Sequence, residues 1–185
     1  MNGYDNYKDS GMQWLGKIPG HWEVKKVGSC FIERKEKVSD KCFEALSVSK
    51  QGVTPQLDTA VKTDNGDNRK KVCKGDFVVN SRSDRKGSCG FSKYDGSVSL
   101  INIVLKPRNL NTMYYHNLFR CNNYIEEFYR QGRGIVADLW TTRYSEMKNI
   151  CIPVPPLSEQ TAIAFYLKDK TSKIEQYVTE RERAA

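Results

Sequence analysis

Two short stretches carry the side chains best suited to chemistry on another molecule. In "NSRSDRKGS", Asn80 to Ser88, the cations Arg82, Arg85 and Lys86 are interleaved with Asn80, Ser81 and Ser83, a composition that reads as a turn. A guanidinium pairs bidentately with a guanine edge or a phosphate, while Asn and Ser exchange hydrogen bonds with bases or backbone. "LWTTRYSEMK", Leu139 to Lys148, repeats the theme with Thr141, Thr142, Arg143 and Tyr144. The turn "KQG" adds Lys50 and Gln51, and the run Arg69, Lys70, Lys71 is suited to neutralising phosphates. This is the chemistry of recognition, by hydrogen bonds and ion pairs, and it needs a partner rich in acceptors and negative charge.

Catalytic signatures are missing. The chain holds no G-x-x-x-x-G-K-[ST] phosphate loop, no G-x-G-x-x-G, and no Pro-Asp followed by a D/E-x-K carboxylate cluster for a metal-dependent nuclease. It also lacks the Asn/Asp-Pro-Pro-aromatic loop that base methyltransferases use on a flipped base. Glu33 beside Lys35 in "FIERKEK" lacks the paired-carboxylate arrangement of a catalytic cluster and reads as a solvated surface run. The cysteines at 30, 42, 73, 89, 121 and 151 form no C-x-x-C pair, and only His21 and His116 could assist them, so they read as reduced structural thiols. No catalytic residue and no metal ligand is assigned.

Charge points the same way. Thirty Lys+Arg against 22 Asp+Glu give a net charge of +8, and the excess gathers between Lys62 and Lys93, in and around expected turns. Clustered positive charge favours a polyanion. The longest apolar run is "LINIVL", Leu100 to Leu105, far short of the roughly 18 residues a membrane span needs. The opening "MNGYDNYKDSG" lacks the charged start and apolar middle of a signal peptide, so a cytoplasmic protein without a membrane partner is expected.

The elements that must position these residues are legible in outline. "YKDSGMQWLGKIPGHWEVKKVGS" is punctuated by Gly and Pro and carries Trp14, Leu15, Ile18 and Trp22, which predicts an extended arm pinned by aromatics. "FEALSV", "DFVVN", "CGFSKY" and "SLINIVLKP" are rich in strand formers and separated by polar turns, and Asn65-Gly66 is a hairpin signal. From Asn111, "NTMYYHNLFRCNNYIEEFYRQG" places Tyr114, Tyr115, Leu118, Phe119, Ile125, Phe128 and Tyr129 at helical spacing, with Gly132 as a stop. These aromatics read as core. The fold class is α+β: an α/β globular domain with a small twisted sheet over residues 1–153, then a long coiled-coil-type helix over 154–185.

That helix follows a hard stop at Pro155-Pro156, with Ser158 as its cap and Glu159 in its first turn. Ile163, Leu167, Ile174 and Tyr177 are spaced by 4, 7 and 3 residues, a heptad seam with Lys170 at the broken position. The stripe is too narrow for a globular core and suits one partner helix.

Four stretches in order resemble the specificity subunit of type I restriction-modification systems. They are "YKDSGMQWLGKIPGHWEV" at the start, "LSVSKQGV" from Leu46, "KGDFVVNSRSDRKGSCGFSKYDGSVSLINIVLKP" from Lys74, and "IPVPPLSEQTAIAFYLKDKTSKIEQ" from Ile152, whose "PPLSEQxxIxxxL" pattern is the most characteristic. The resemblance implies a target recognition domain that reads one half of a bipartite double-stranded DNA site, and a conserved helix that spaces it from a second such domain. It implies methylation subunits that bind S-adenosylmethionine and a restriction subunit that uses ATP and Mg, with no cofactor in this chain. Members of that family carry two recognition domains and two helices in one chain. Here there is one of each, which fits a fragment or a half-size subunit that forms a homodimer through its helix. Two rival readings stay open: the recognition end of a fused restriction-methylation enzyme, and a decoy that occupies methylation subunits without reading DNA.

Overall fold

The computed structural model describes residues 3–57, 66–134 and 140–184. Lys62, Asn65 and Leu139 lie outside them, so the expected Asn65-Gly66 turn has no structural account. Strands β1 (Tyr7–Asp9) and β2 (Lys17–Pro19) form a hairpin in the N-terminal arm, and β3 (Glu23–Lys26) leads through the short helix α1 (Val27–Cys30) to β4 (Phe31–Glu33). Then come β5 (Lys37–Val38), β6 (Leu46–Ser49), β7 (Gly52–Pro55), β8 (Arg69–Val72), β9 (Phe77–Asn80), β10 (Cys89–Phe91), β11 (Gly96–Val98) and β12 (Asn102–Pro107). Helices α2 (Thr112–Arg120), α3 (Asn122–Arg130) and α4 (Tyr144–Met147), strand β13 (Cys151–Val154) and helix α5 (Leu157–Ala184) complete an α+β chain.

The named strands pair antiparallel, in a four-stranded sheet β10-β9-β12-β4, a three-stranded sheet β11-β8-β5, and the two-stranded pairs β1-β2, β3-β13 and β6-β7. Strands β9 and β12 are apolar on both faces, and alternation sends the two faces to different cores. Phe77, Val79, Ile103 and Leu105 join Phe31, Tyr115, Phe119, Phe128 and Met147 under the helices. Val78 and Val104 point the other way, to Leu46, Val53, Val72 and Val98. The run that reads as one apolar block is therefore the shared wall of two cores.

The aromatic stretch after Asn111 forms two helices where its spacing predicts one. Asn111 caps α2 by accepting hydrogen bonds from the backbone N–H of Met113 and Tyr114, both at 3.1 Å. The chain then turns extended at Cys121, with φ −70° and ψ 145°. On one straight helix Phe119 and Tyr124 would stand about 140° apart. The break brings their ring centroids to 4.6 Å, so that both sit in the first core. Packing of two aromatics outweighs helix continuity here, at residues (Cys, Asn, Asn) with little helix propensity to lose.

Helix α5 begins at Leu157, two residues ahead of the start that a Ser158 cap predicts, and the Gln160 N–H donates to Pro156 O at 3.0 Å. Its root belongs to the globular body: Gln160 and Ala164 are buried, and Ile163 packs on the first core. The expected boundary at residue 153/154 therefore falls inside one packed body. Beyond Leu167 the helix leaves the domain, and Ile174, Tyr177 and Val178 are exposed. All six cysteines are free thiols. Burial pushes Cys89 up to about 12, which keeps it protonated and inert.

Candidate nucleic-acid interface

The two sequence stretches that could recognise DNA meet in space. The chain leaves β9 through Asn80 and enters the 3-10 turn Ser83–Arg85, while the segment from Trp140 runs beside it into α4. Backbone hydrogen bonds join them: Thr142 N–H to Ser81 O at 3.0 Å and Ser83 N–H to Trp140 O at 3.0 Å, with an antiparallel bridge between Arg82 and Thr141. A second bridge, Thr141 to Arg133, adds the residues that follow α3. The result is a ridge of three crossing segments.

Local chemistry shapes its tip. Asn80 Oδ1 accepts from the Arg82 N–H at 3.1 Å, and the Tyr129 hydroxyl donates to Asn80 O at 2.8 Å from beneath. Ser81 is buried, and its hydroxyl donates to Ile101 O at 2.6 Å. Asp84 sits between two guanidiniums, 2.9 Å from Arg82 Nε and 3.6 Å from Arg85 Nε. The acid orders both arginines and lowers local repulsion while leaving most of Arg85, 66 % exposed, to solvent. Lys86 donates to Glu126 at 2.8 Å and lies over the Tyr129 ring. Beside this tip an open groove of about 730 Å³ is lined by Trp14, Ser83, Lys86, Tyr129, Arg130 and Trp140.

The hairpin β6-β7 reaches the same side. Lys50 and Gln51 are its exposed two-residue tip, as the sequence predicts, with Ser49 Oγ accepting from the Gln51 N–H at 3.1 Å. Arg120 ties that tip to the sheet, donating to Lys50 O and, at 2.8 Å, to Cys89 O. His116, one helical turn before Arg120, is pushed down to about 4 by burial and by the cations Arg120 and Lys93, so it stays neutral at physiological pH.

Several expected contact residues are placed elsewhere. Arg69 is buried, its guanidinium donating to the Ser97 hydroxyl at 2.8 Å and to Ser97 O at 3.1 Å, so it braces β8 against β11 and is not presented to phosphate. Lys70 is largely covered, donates to Asn102 O at 2.7 Å and lies 3.7 Å from Glu33. That Glu33 carboxylate is itself mostly buried, in contrast to the solvated run expected from sequence. Lys71 pairs with Glu36 at 2.8 Å over the Phe43 ring. This basic run lies on the three-stranded sheet and is spent on intramolecular partners, because alternate residues of a strand must face a core. Thr142 is also buried, donating to Phe128 O at 2.9 Å, and Tyr144 donates to Phe31 O at 3.2 Å, so both hold the ridge up from below. Arg143 is exposed, with its N–H bound to Glu146 at 3.0 Å.

Arg133, 85 % exposed on the ridge, and Arg120 are the cations that sequence reasoning missed. Arg133 follows the expected helix stop at Gly132, and that position was the available signal.

A profile of the type I restriction modification DNA specificity domain matches residues 19–181. The chain belongs to this family. No curated protein sequence matches it. Among solved structures, the HsdS subunit from Thermoanaerobacter tengcongensis superposes with a TM-score of 0.60 at 17% identity, covering 97% of this chain and 42% of that one. The type I restriction-modification S subunit from M. genitalium gives 0.58 at 17% identity, covering 97% and 43%. A chain from a study of complex assembly and conformational transition of the type I R-M system gives 0.55 at 18% identity, covering 90% and 41%. The specificity-domain chain thus shares its fold with these proteins and spans less than half the length of each. Among the described residues no helix is long and apolar enough to cross a membrane.

Proposed function

We propose that this chain is a non-catalytic DNA-reading subunit of a type I restriction-modification complex, and that its ridge reads one half of a bipartite duplex target. The single observation that carries this reading is the ridge itself: in a member of the specificity-domain family, the backbone pairs Ser81–Thr142 and Ser83–Trp140 bring Arg82, Arg85, Arg133 and Arg143 to one surface. Arg85, Arg133 and Arg143 project to solvent with side chains that suit guanine edges or phosphates. Lys50 and Lys86 line one cleft beside the ridge, and Gln51 shares the exposed hairpin tip with Lys50. Methylation subunits would supply S-adenosylmethionine, and a restriction subunit ATP and Mg, so the chain itself needs no cofactor. The exposed half of α5 would pack against a second such helix, either in a homodimer or in a longer chain.

Selection of bound duplexes from a random pool tests the reading, with one defined half-site as the expected product. Arg85→Ala should lose about 1–3 kcal/mol on the preferred site and relax the preference at one position if the guanidinium reads a base edge. If the mutant returns the parental motif at full strength, the loop does not specify sequence.

Affinity should also fall steeply with salt, because each phosphate neutralised contributes roughly −0.9 to the slope of log K against log salt concentration. Four exposed ridge arginines would give a slope near −3.6 if all touched phosphate, and conversion of one to a base contact lowers it by about one unit. An affinity that stays constant between about 50 and 200 mM salt would refute the electrostatic part of the reading.

A further inference from the structure

The root of α5 is held from two opposite sides, and the second hold comes from the far end of the chain. On one side, Gln160 donates to Pro155 O at 2.8 Å and accepts from the Asn111 N–H at 3.0 Å, and Asn111 Nδ2 donates to Thr161 Oγ1 at 3.1 Å. The residue that caps α2 therefore also staples α5, and Ala164 completes this hold in the core. On the other side, Glu159 faces the N-terminal arm. Its Oε2 accepts from the Tyr4 hydroxyl at 2.8 Å and from Trp22 Nε1–H at 2.9 Å, and its Oε1 lies 2.5 Å from His21 Nε2. Tyr4 packs edge-on against Trp22 at 5.9 Å and tilted against His21 at 5.6 Å, so the three partners form one aromatic unit. Burial pushes the Glu159 carboxyl up, yet the bonds from Trp22, His21 and Tyr4 outweigh it and hold the group below its usual range.

Three converging partners on one carboxylate exceed what helix capping needs. A helix gripped only through Asn111 and the core could pivot about that contact. A second grip across the helix removes the pivot. The lever is long: from Glu159 to residue 184 the helix runs about 37 Å, so a tilt of about 10° at the root moves the far end by about 6 Å, nearly two base-pair rises.

We propose that Glu159 is a positioning residue which buckles the N-terminal arm to the root of α5, fixes the direction in which the helix leaves the domain, and so restricts the spacing allowed between half-sites. The spacing clause rests on the DNA-reading function proposed above; the direction clause does not.

The direction is read in the full chain by the distance distribution between nitroxides on Cys42, exposed on the domain, and on Glu180→Cys. A C73S/C121S/C151S background and dilution with unlabelled chain restrict the signal to pairs within one molecule. The parent should give one narrow distance. Glu159→Ala should broaden it, and Tyr4→Phe, which keeps the ring and removes one donor, should broaden it less. Equal widths in parent and Glu159→Ala would overturn the buckle. Should Glu159→Ala not fold, Tyr4→Phe decides by the same criterion. Selection on duplexes with variable gaps reads the spacing: Glu159→Ala should keep the parental half-site bases and accept at least two additional gap lengths. A broadened distance with an unchanged single gap would overturn the role in spacing. If the parent itself selects no half-site, the DNA-reading function fails, and the distance distribution still judges the buckle.

Discussion

Asp76→Ala is expected to lower the unfolding free energy by about 3–5 kcal/mol, because it strips a carboxylate from a guanidinium that has nowhere else to go. Asp76 is 2% exposed and accepts from Arg34 Nε at 2.6 Å, from Arg34 Nη2 at 3.1 Å and from the Cys73 N–H at 2.8 Å. That bidentate pair holds Arg34 protonated, with the hydrogen bond it donates to Asp76 as the chief cause that raises its pKa. Arginine cannot escape by giving up its proton, so the mutant buries much of an unpaired charge. The position makes the loss global. Arg34 follows β4 and Asp76 immediately precedes β9, two strands of the four-stranded sheet that flank β12, so the pair ties together the strand ends on either side of it. Urea denaturation measures the loss. Asp76→Asn, which keeps one acceptor, should fall between parent and alanine. A shift below about 1 kcal/mol for the alanine would mean that water screens the pair as it does at a surface. The salt slope of DNA binding by the folded fraction should not change, since neither residue lies on the ridge.

Legibility in the sequence followed the range of the interaction. Short-range rules carried the Lys50–Gln51 hairpin tip, the strand in "DFVVN", the change to a helical pattern at Asn111 and the stop at Pro155-Pro156, because turn chemistry and hydrophobic periodicity are decided within a few residues. The turn around Asn80 to Lys86 was legible for the same reason. Arg69 shows where that reasoning ends. Its neighbours Lys70 and Lys71 make the run look like a solvated basic patch, and only the pairing of β8 with β11 reveals that Arg69 faces Ser97 in the interior. Thr142 is similar, since it looks exposed in "LWTTRY" until Ser81 and Phe128 are brought to it from 61 and 14 residues away. The break at Cys121 is a tertiary decision, made by the fit of Phe119 to Tyr124. Glu159 read as an ordinary first-turn acid because its partners Tyr4, His21 and Trp22 lie at the opposite end of the chain.

The largest expected effect on assembly comes from Ile174→Glu combined with Tyr177→Glu. The seam legible in sequence runs Ile163, Leu167, Ile174, Tyr177, but the structure divides it. Ile163 is packed on the domain's own core, while Ile174 at 62% and Tyr177 at 58% exposure have no apolar cover among the described residues. On one helical face, residue 174 lies within about 20° of 163 and about 20° of 167, so the stripe that roots the helix continues outward past the point where the domain ends. An isolated stretch of this length, with Lys and Glu on its other faces, gains little helical stability from water alone. Under the proposed function a second copy would cover it. In a two-fold dimer every substitution counts twice, so the double mutant removes four apolar side chains from the interface and inserts four carboxylates. At about 1.5 kcal/mol for each side chain the loss reaches about 6 kcal/mol, enough to weaken association by about four orders of magnitude. Because the replaced groups are exposed in the monomer, domain stability should stay within about 0.5 kcal/mol of the parent. Sedimentation equilibrium would show the parent as a dimer and the mutant as a monomer. Duplex selection would then show an interrupted palindrome for the parent and one half-site, bound more weakly, for the mutant. A double mutant that still sediments as a dimer places the interface elsewhere. One that unfolds the domain instead makes the outer half of α5 belong to the core, against the exposure of both residues.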